Sequence, residues 1–410
     1  MATEVQVEAD PAEAGFDGAR LRRIDRHFAR YVDDGLLPGF LAVVSRHGRI
    51  VHVASHGARD VEAGAPVETD TIWRIFSMSK PITSVAAMTF AEEGLIDLTD
   101  PIARWLPEFA EPRVYVKGSA LDPVTEPATE PIRLWHLLTH TAGLTYGFHH
   151  THPVDARYRA AGYEGGTPPG LDLAGCSRAW AGFPLVFQPG SEWNYSVATD
   201  VLGRLVEVLA GTPLDEALAE RVFGPLGMSD TGFHTEDRER LAALYVPDPK
   251  TKQIVRNDMF GATGTKRPDS FSGGGGLVST AADYHRFTQM LLRRGELDGV
   301  RVLSPHTVDL MTANHLPGNV DLESYGRPLF TEMPYDGFGF GLGFSVLLDA
   351  AKAKTLSTPG EYAWGGAAST AFWVDPDEDL TVAFYTQLLP SSSYPIRHQL
   401  RQLVYQALVD

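Results

Sequence analysis

The chain has 410 residues, 43% hydrophobic and 21% charged, an ordinary globular composition with enough apolar side chain for a sizeable core. A formal net charge of −17 excludes the basic footprint that nucleic-acid backbones require. The single cysteine, Cys176, excludes an internal disulfide and any multi-cysteine metal site, and reads as a small buried hydrophobe.

The opening stretch, MATEVQVEADPAEAGFDGARL, carries acidic residues where a secretory signal needs a basic start and an apolar run. No stretch approaches the ~18 consecutive apolar residues of a membrane helix. The expectation is a cytoplasmic protein with neither a membrane nor a nucleic-acid partner; oligomeric state is not legible.

Leu21, Ile24, Phe28, Tyr31 and Val32 fall at helical spacing and predict a helix over 18–35. Residues 39–45 and 49–54 read as two strands joined by a tight turn at His47-Gly48. An apolar-faced helix is expected over 77–94, with Gly94 suited to its C-terminal cap. Residues 95–249 are rich in helical patterns broken by Pro and Gly, the clearest helix being 197–210. Strand-like runs return at 338–348, 371–374 and 380–387, and the glycine-rich run 337–343 reads as part of a strand. A closing helix over 395–409 places Ile396, Leu400, Leu403, Val404 and Leu408 on one face. The predicted class is α/β of the α+β type: a discontinuous sheet domain from 1–94 and 250–410, and a mainly helical insert from 95–249. The active site is expected in the cleft between them. Beyond the short glycine run 273–276 there is no low-complexity segment, and no internal repeat.

Three short motifs carry chemistry. Ser77-Met78-Ser79-Lys80 opens the 77–94 helix, where Pro81 costs little because first-turn N–H groups have no intrahelical partner. Residues three apart share a helix face, so the Lys80 amine comes near the Ser77 hydroxyl. A serine at a helix start also lies in a field that favours developing negative charge. A base at Lys80 must reach its neutral form, which burial promotes. Read alone, the tetrapeptide is equally a capping serine and a solvated lysine. Tyr195-Ser196-Val197 follows a Pro-Gly turn and precedes a long helix, so the tyrosine hydroxyl can enter a cleft and relay a proton; alone, it is a core tyrosine. Trp364-Gly365-Gly366-Ala367 precedes a strand, and its glycines permit close approach of a substrate to backbone N–H groups; alone, it is a β-bulge.

Rival chemistries find less. No serine has glycine two residues away on both sides, as an α/β-hydrolase nucleophile requires. His-Glu-x-x-His and the phosphate-loop pattern are absent. His149-His150-x-His152 lacks a carboxylate at ligand spacing and reads as a loop lining the cleft, so neither metal nor cofactor is expected.

In order and spacing, the three motifs resemble the serine β-lactamase and penicillin-binding-protein superfamily, most nearly the class C-like family VIII carboxylesterases. Residues 137–144 (LLTHTAGL), 225–231 (PLGMSDT) and 274–281 (GGGLVSTA) extend the resemblance over roughly 15–405. It implies an antiparallel sheet flanked by helices beside an all-helical region. Ser77 is the implied nucleophile, Lys80 its base and Tyr195 the general acid/base partner. The backbone N–H groups of Ser77 and Ala367 would form the oxyanion hole, with Trp364, Gly365, Gly366, Val197, Tyr146 and His149 as substrate contacts. Class C β-lactamases have Tyr-Ser-Asn and Lys-Thr-Gly where this chain has Tyr195-Ser196-Val197 and Trp364-Gly365-Gly366. Both departures remove polar groups that would meet a β-lactam, and leave a site suited to a small neutral ester. Acyl transfer to an alcohol or amine, β-lactam or amide hydrolysis, and a non-catalytic binding module are the alternatives.

Overall fold

Strand β1 (Gly39–Arg46) sends Phe40, Ala42 and Val44 to one side and Leu41 and Val43 to the other, and all five are buried. Such a strand needs cover on both faces. The computed structural model, which describes residues 4–164, 167–168, 170–327 and 335–410, supplies it. β1 lies inside an eight-stranded sheet with β2 (Arg49–Asp60), β3 (Ala65–Pro66), β4 (Phe338–Phe340), β5 (Ser345–Leu347), β6 (Tyr362–Gly365), β7 (Ala371–Asp375) and β8 (Leu380–Tyr385). The order is β4-β5-β6-β7-β8-β1-β2-β3, antiparallel throughout, and the chain ends meet where Leu41 pairs with Tyr385.

The helices that frame it are α1 (Arg23–Asp33), α2 (Ser79–Glu92), α3 (Ala198–Ala210), α4 (Ala281–Leu292) and α5 (Ile396–Tyr405). On one face Ile24 and Phe28 of α1 and Ile396, Leu400 and Val404 of α5 pack on Phe40, Val44, Trp373 and Phe384. The Phe28 and Phe384 rings lie 4.8 Å apart. On the other face Leu41, Val43, Tyr362, Trp364, Phe372 and Val374 join the core with α2, α3 and α4. The two-residue period of β6 thus turns Trp364 toward α2 and Ala363 away from it.

The structure departs from the sequence reading in several places. The helix expected over 18–35 is two, Gly18–Leu21 and Arg23–Asp33. α2 is buried on all sides from Ser79 to Phe90, where the sequence reading expected one apolar face. It starts after Ser77, which belongs to a 3₁₀ turn at Phe76–Met78. Residues 338–348 form a hairpin, because Gly343 turns the chain at φ +100° and a Cβ there would lie 2.4 Å from Ser84 Oγ. The glycine run is therefore part strand and part turn. The middle of the chain adds hairpins at Arg113–Gly118 with Pro123–Pro127 and at Tyr245–Pro247 with Ile254–Arg256. No described helix is long and apolar enough to cross a membrane.

α5 is fastened to the sheet by an ion pair. Arg401 Nη2 donates to Glu361 Oε1 at 2.6 Å, with side-chain exposures of 8% and 0%. Removing one member of such a pair strands the other charge. Arg401→Met is expected to cost about 3–5 kcal/mol in urea unfolding, and adding Glu361→Gln to recover most of that loss. Equal stability of Arg401→Met and the native chain would show the pair to be dispensable.

Candidate active site

The approach to Ser77 is built on backbone contacts. Trp73–Arg74 pairs with Val278–Ser279, and Ile75 N–H donates to Leu277 O at 3.1 Å. The Arg74 guanidinium is buried among the carbonyls of Ala242, Gly261 and Thr263, and burial lowers its pKa to about 10. Gln387, just past β8, accepts from Arg74 N–H at 3.3 Å and donates to Arg74 O at 3.1 Å, tying the sheet to this segment.

Phe76 then takes φ +43°, a strained conformation for a side chain branched at Cγ. Such residues cost on the order of 1–3 kcal/mol and persist only when their surroundings over-determine them. Here Ser79 Oγ donates to Phe76 O at 2.6 Å, Met78 N–H to Ile75 O at 3.0 Å, and Tyr284 OH to Met78 O at 3.0 Å. The turn presents Ser77, half-buried, at the start of α2.

Lys80, in the first turn of α2, is 2% exposed. Its Nζ lies 3.2 Å from Ser77 Oγ, 3.1 Å from Tyr146 OH and 2.6 Å from Gly274 O. An ammonium has three N–H donors, and each has an acceptor here. The neutral amine has two donors and one lone pair. Gly274 O can only accept, so it always takes one N–H, and the lone pair faces one of the two hydroxyls. The geometry therefore allows Lys80 to take a proton from Ser77.

Tyr195 lies beneath the amine, its ring centroid 4.6 Å from Nζ. Its hydroxyl accepts the Trp364 Nε1–H at 3.3 Å. Trp364, His140 and Tyr146 surround the ring at 5.5, 5.0 and 5.4 Å between centroids. His149 Nε2–H donates to Tyr195 O at 2.6 Å, so this histidine braces the backbone beside the ring. Burial lowers the pKa of His149 and lowers that of His140 further, with the Lys80 charge adding to the latter. Val197 is buried at the N-cap of α3.

The loop after β6 reaches the Ser77 turn. A Cβ on Gly366 would lie 2.4 Å from the Ile75 carbonyl oxygen, so close approach of the two backbones requires glycine there, and one on Gly365 would lie 2.4 Å from the Arg397 guanidinium. Gly366 N–H donates to Thr370 O at 2.9 Å, and Arg397 donates to Gly366 O at 2.9 Å. Among the described residues neither the Ser77 nor the Ala367 N–H has a protein acceptor.

Ser77, Lys80, Tyr146, Tyr195 and Trp364 thus meet, while the three neighbouring histidines part company. His150 is exposed 3.4 Å from Glu164, and His152 caps a helix by accepting from Val154 N–H at 3.2 Å. Sequence reasoning missed the contact of Tyr146 and Gly274 with Lys80. It also missed His140, although LLTHTAGL contains it. The adjacent glycines at 273–276 were the available signal for a backbone group reaching a buried side chain.

A family model described as Beta-lactamase matches residues 24–406. The chain belongs to the beta-lactamase family. Protein Rv1367c of Mycobacterium tuberculosis is 41% identical over 369 residues, covering 88% of each chain. Esterase EstB of Burkholderia gladioli is 33% identical over 416 residues, covering 97% of this chain and 98% of its own. Among solved structures, "EstCE1, a hydrolase with promiscuous acyltransferase activity" superposes with a TM-score of 0.78 at 30% identity, covering 94% of this chain and 98% of that one. The beta-lactamase fold carries an enzyme of the serine hydrolase superfamily.

Gly366→Ala tests the close approach of the two loops. The added methyl must push the β6 loop off Ile75, and misplacement near 1 Å costs about 10²-fold in rate. A loss of that order in kcat, with far-UV circular dichroism unchanged, is the expected result. Native kcat would show that the contact does not position the site.

Proposed function

We propose that the protein is a serine carboxylesterase that hydrolyses short-chain neutral esters through an acyl-enzyme on Ser77. The observation that carries this reading is the Lys80 amine at 3.2 Å from the Ser77 hydroxyl, inside a buried aromatic enclosure. Ser77 Oγ attacks the ester carbonyl carbon as its proton passes to Lys80. The carbonyl electrons move onto oxygen, which the Ser77 and Ala367 N–H groups stabilise. The carbon–oxygen bond to the leaving alcohol then breaks, and the alkoxide takes a proton from Tyr195, which Lys80 replenishes. Water repeats the sequence on the acyl-enzyme, giving the acid and free Ser77.

Trp364 supports the neutral-substrate half of the reading. A lysine there would offer a β-lactam carboxylate a charge-assisted contact. The indole offers an apolar face, and its N–H is already engaged by Tyr195. Transfer of the acyl group to an alcohol is the second reading, favoured by the likeness to EstCE1. Adding a competing alcohol and measuring the ester-to-acid product ratio separates the two.

Ser77→Ala is expected to abolish turnover of a butyrate ester and stoichiometric labelling by a fluorophosphonate, with the fold intact. More than a few per cent residual activity in a clean preparation would overturn the assignment. The native protein is expected to give a far higher kcat/KM for the butyrate ester than for a chromogenic cephalosporin; the reverse ranking would replace the esterase with a β-lactamase.

A further inference from the structure

Asp200 lies in the first turn of α3 and is 4% exposed. Its Oδ1 accepts the Ser272 hydroxyl at 2.5 Å and the Gly274 N–H at 3.0 Å. Among the described residues it forms no ion pair; burial raises its pKa above the usual carboxylate range, and Lys80 is the cation whose field opposes that rise. A buried carboxylate without a counter-charge is strongly disfavoured, so its presence calls for one.

The link to Lys80 runs through Gly274. The residue whose N–H Asp200 holds offers its carbonyl to Lys80 Nζ at 2.6 Å. A Cβ on Gly274 would lie 2.6 Å from Asp200 Oδ2, so only glycine lets the carboxylate come this close. Thr83 Oγ1 donates to Gly273 O at 2.8 Å and Leu277 N–H donates to Ser79 Oγ at 3.2 Å, fixing the loop from α2.

The other groups facing this pair are Ser77, Tyr146, Tyr195, His140, His149 and Cys176. Burial holds the Tyr146 hydroxyl proton well above its ordinary range, with Asp200 adding to the effect. Burial lowers both histidines and pushes the Cys176 thiol up to about 11. Asp200 and Lys80 are therefore the opposed charges of the cluster.

We propose that Asp200 is the buried counter-ion of Lys80: it fixes the Gly274 carbonyl on the amine and, through its charge, sets the pH at which Lys80 becomes a base. This rests on the reading of Ser77 and Lys80 as nucleophile and base. Asp200 touches neither Ser77 nor substrate, and is a positioning residue.

The sign follows from Coulomb's law. A nearby negative charge favours the ammonium, so removing it lets the amine serve as base at lower pH. Asp200→Asn keeps the shape and an oxygen that can accept the Gly274 N–H while deleting the charge. The acidic limb of kcat/KM for a butyrate ester is expected to move down by about one pH unit or more. Ser272→Ala keeps the charge but removes one hydrogen bond that supports it, so a smaller shift in the same direction is expected. It carries the test if Asp200→Asn fails to fold.

Fluorophosphonate labelling, mapped by mass spectrometry and followed over the same pH range, gives an independent profile and is expected to shift alike. Labelling at Ser77 with unmoved limbs in both variants would overturn the counter-ion and leave Asp200 a loop clamp. Labelling at another serine, or none, would instead overturn the reading beneath it.

Discussion

An amine taken into a protein interior must find acceptors for its hydrogens, and the architecture around Lys80 answers that requirement. Three acceptors come from three separated stretches of chain: Ser77 before α2, Tyr146 in the segment after LLTHTAGL, and Gly274 in the loop leading to α4. α2 is packed against all of them and is itself buried on every side. The strain at Phe76 belongs to the same arrangement. A continuous helix through residue 77 would place its hydroxyl differently, whereas the 3₁₀ turn lets it meet the amine from outside the helix.

The sheet contributes by parity and by length. β6 ends at Gly365 with Trp364 turned toward α2, so the indole N–H meets Tyr195 OH. That bond occupies a lone pair of the phenol and leaves its own O–H proton free to donate. A neutral hydrogen bond of this kind contributes about 1 kcal/mol to stability, a modest term beside its effect on orientation. The aromatic groups around Tyr195 thus select a rotamer and a direction for its proton. In the esterase reading the same ring system gives an uncharged acyl or alcohol group a surface to lie on.

Much of this was legible in the sequence because the physics is local. The short apolar run in 39–45 marks a strand covered on both faces, and the apolar spacing in α1 and α5 and the Ser-x-x-Lys separation follow from a repeat of three or four residues. The boundaries were less legible. Ser77 lies outside its helix because hydrogen bonds from Ser79 and Tyr284, and one from Ile75 N–H to Leu277 O, hold a turn that propensity does not favour. The 338–348 run breaks at Gly343 because Ser84 occupies the space of a Cβ. The partner of His149 was equally out of reach, since it is the carbonyl of a residue 46 positions away. The partners of Lys80 were invisible in kind, since Gly274 acts through a backbone oxygen that no residue type announces.

The net charge of −17 described the surface and said nothing of the chemistry, and the structure shows why the two separate. Acidic residues on the surface are hydrated, screened over about 10 Å at moderate ionic strength, and often paired with arginine, as Asp60 is with Arg256. Around the amine, which is 2% exposed, screening is weaker than at the surface, so each charge there is felt more strongly. Asp200 opposes the charge of Lys80, and burial disfavours the charged forms of His140 and His149, so none of these three groups adds positive charge beside Ser77. A substrate carrying its own carboxylate would have to lose its hydration there without compensation. A neutral ester loses little, and the developing oxyanion is the first uncompensated negative charge that the enclosure must meet. In the esterase reading, two backbone N–H groups with no protein acceptor among the described residues suit that moment better than a fixed lysine, because they stabilise charge as it forms and attract little before.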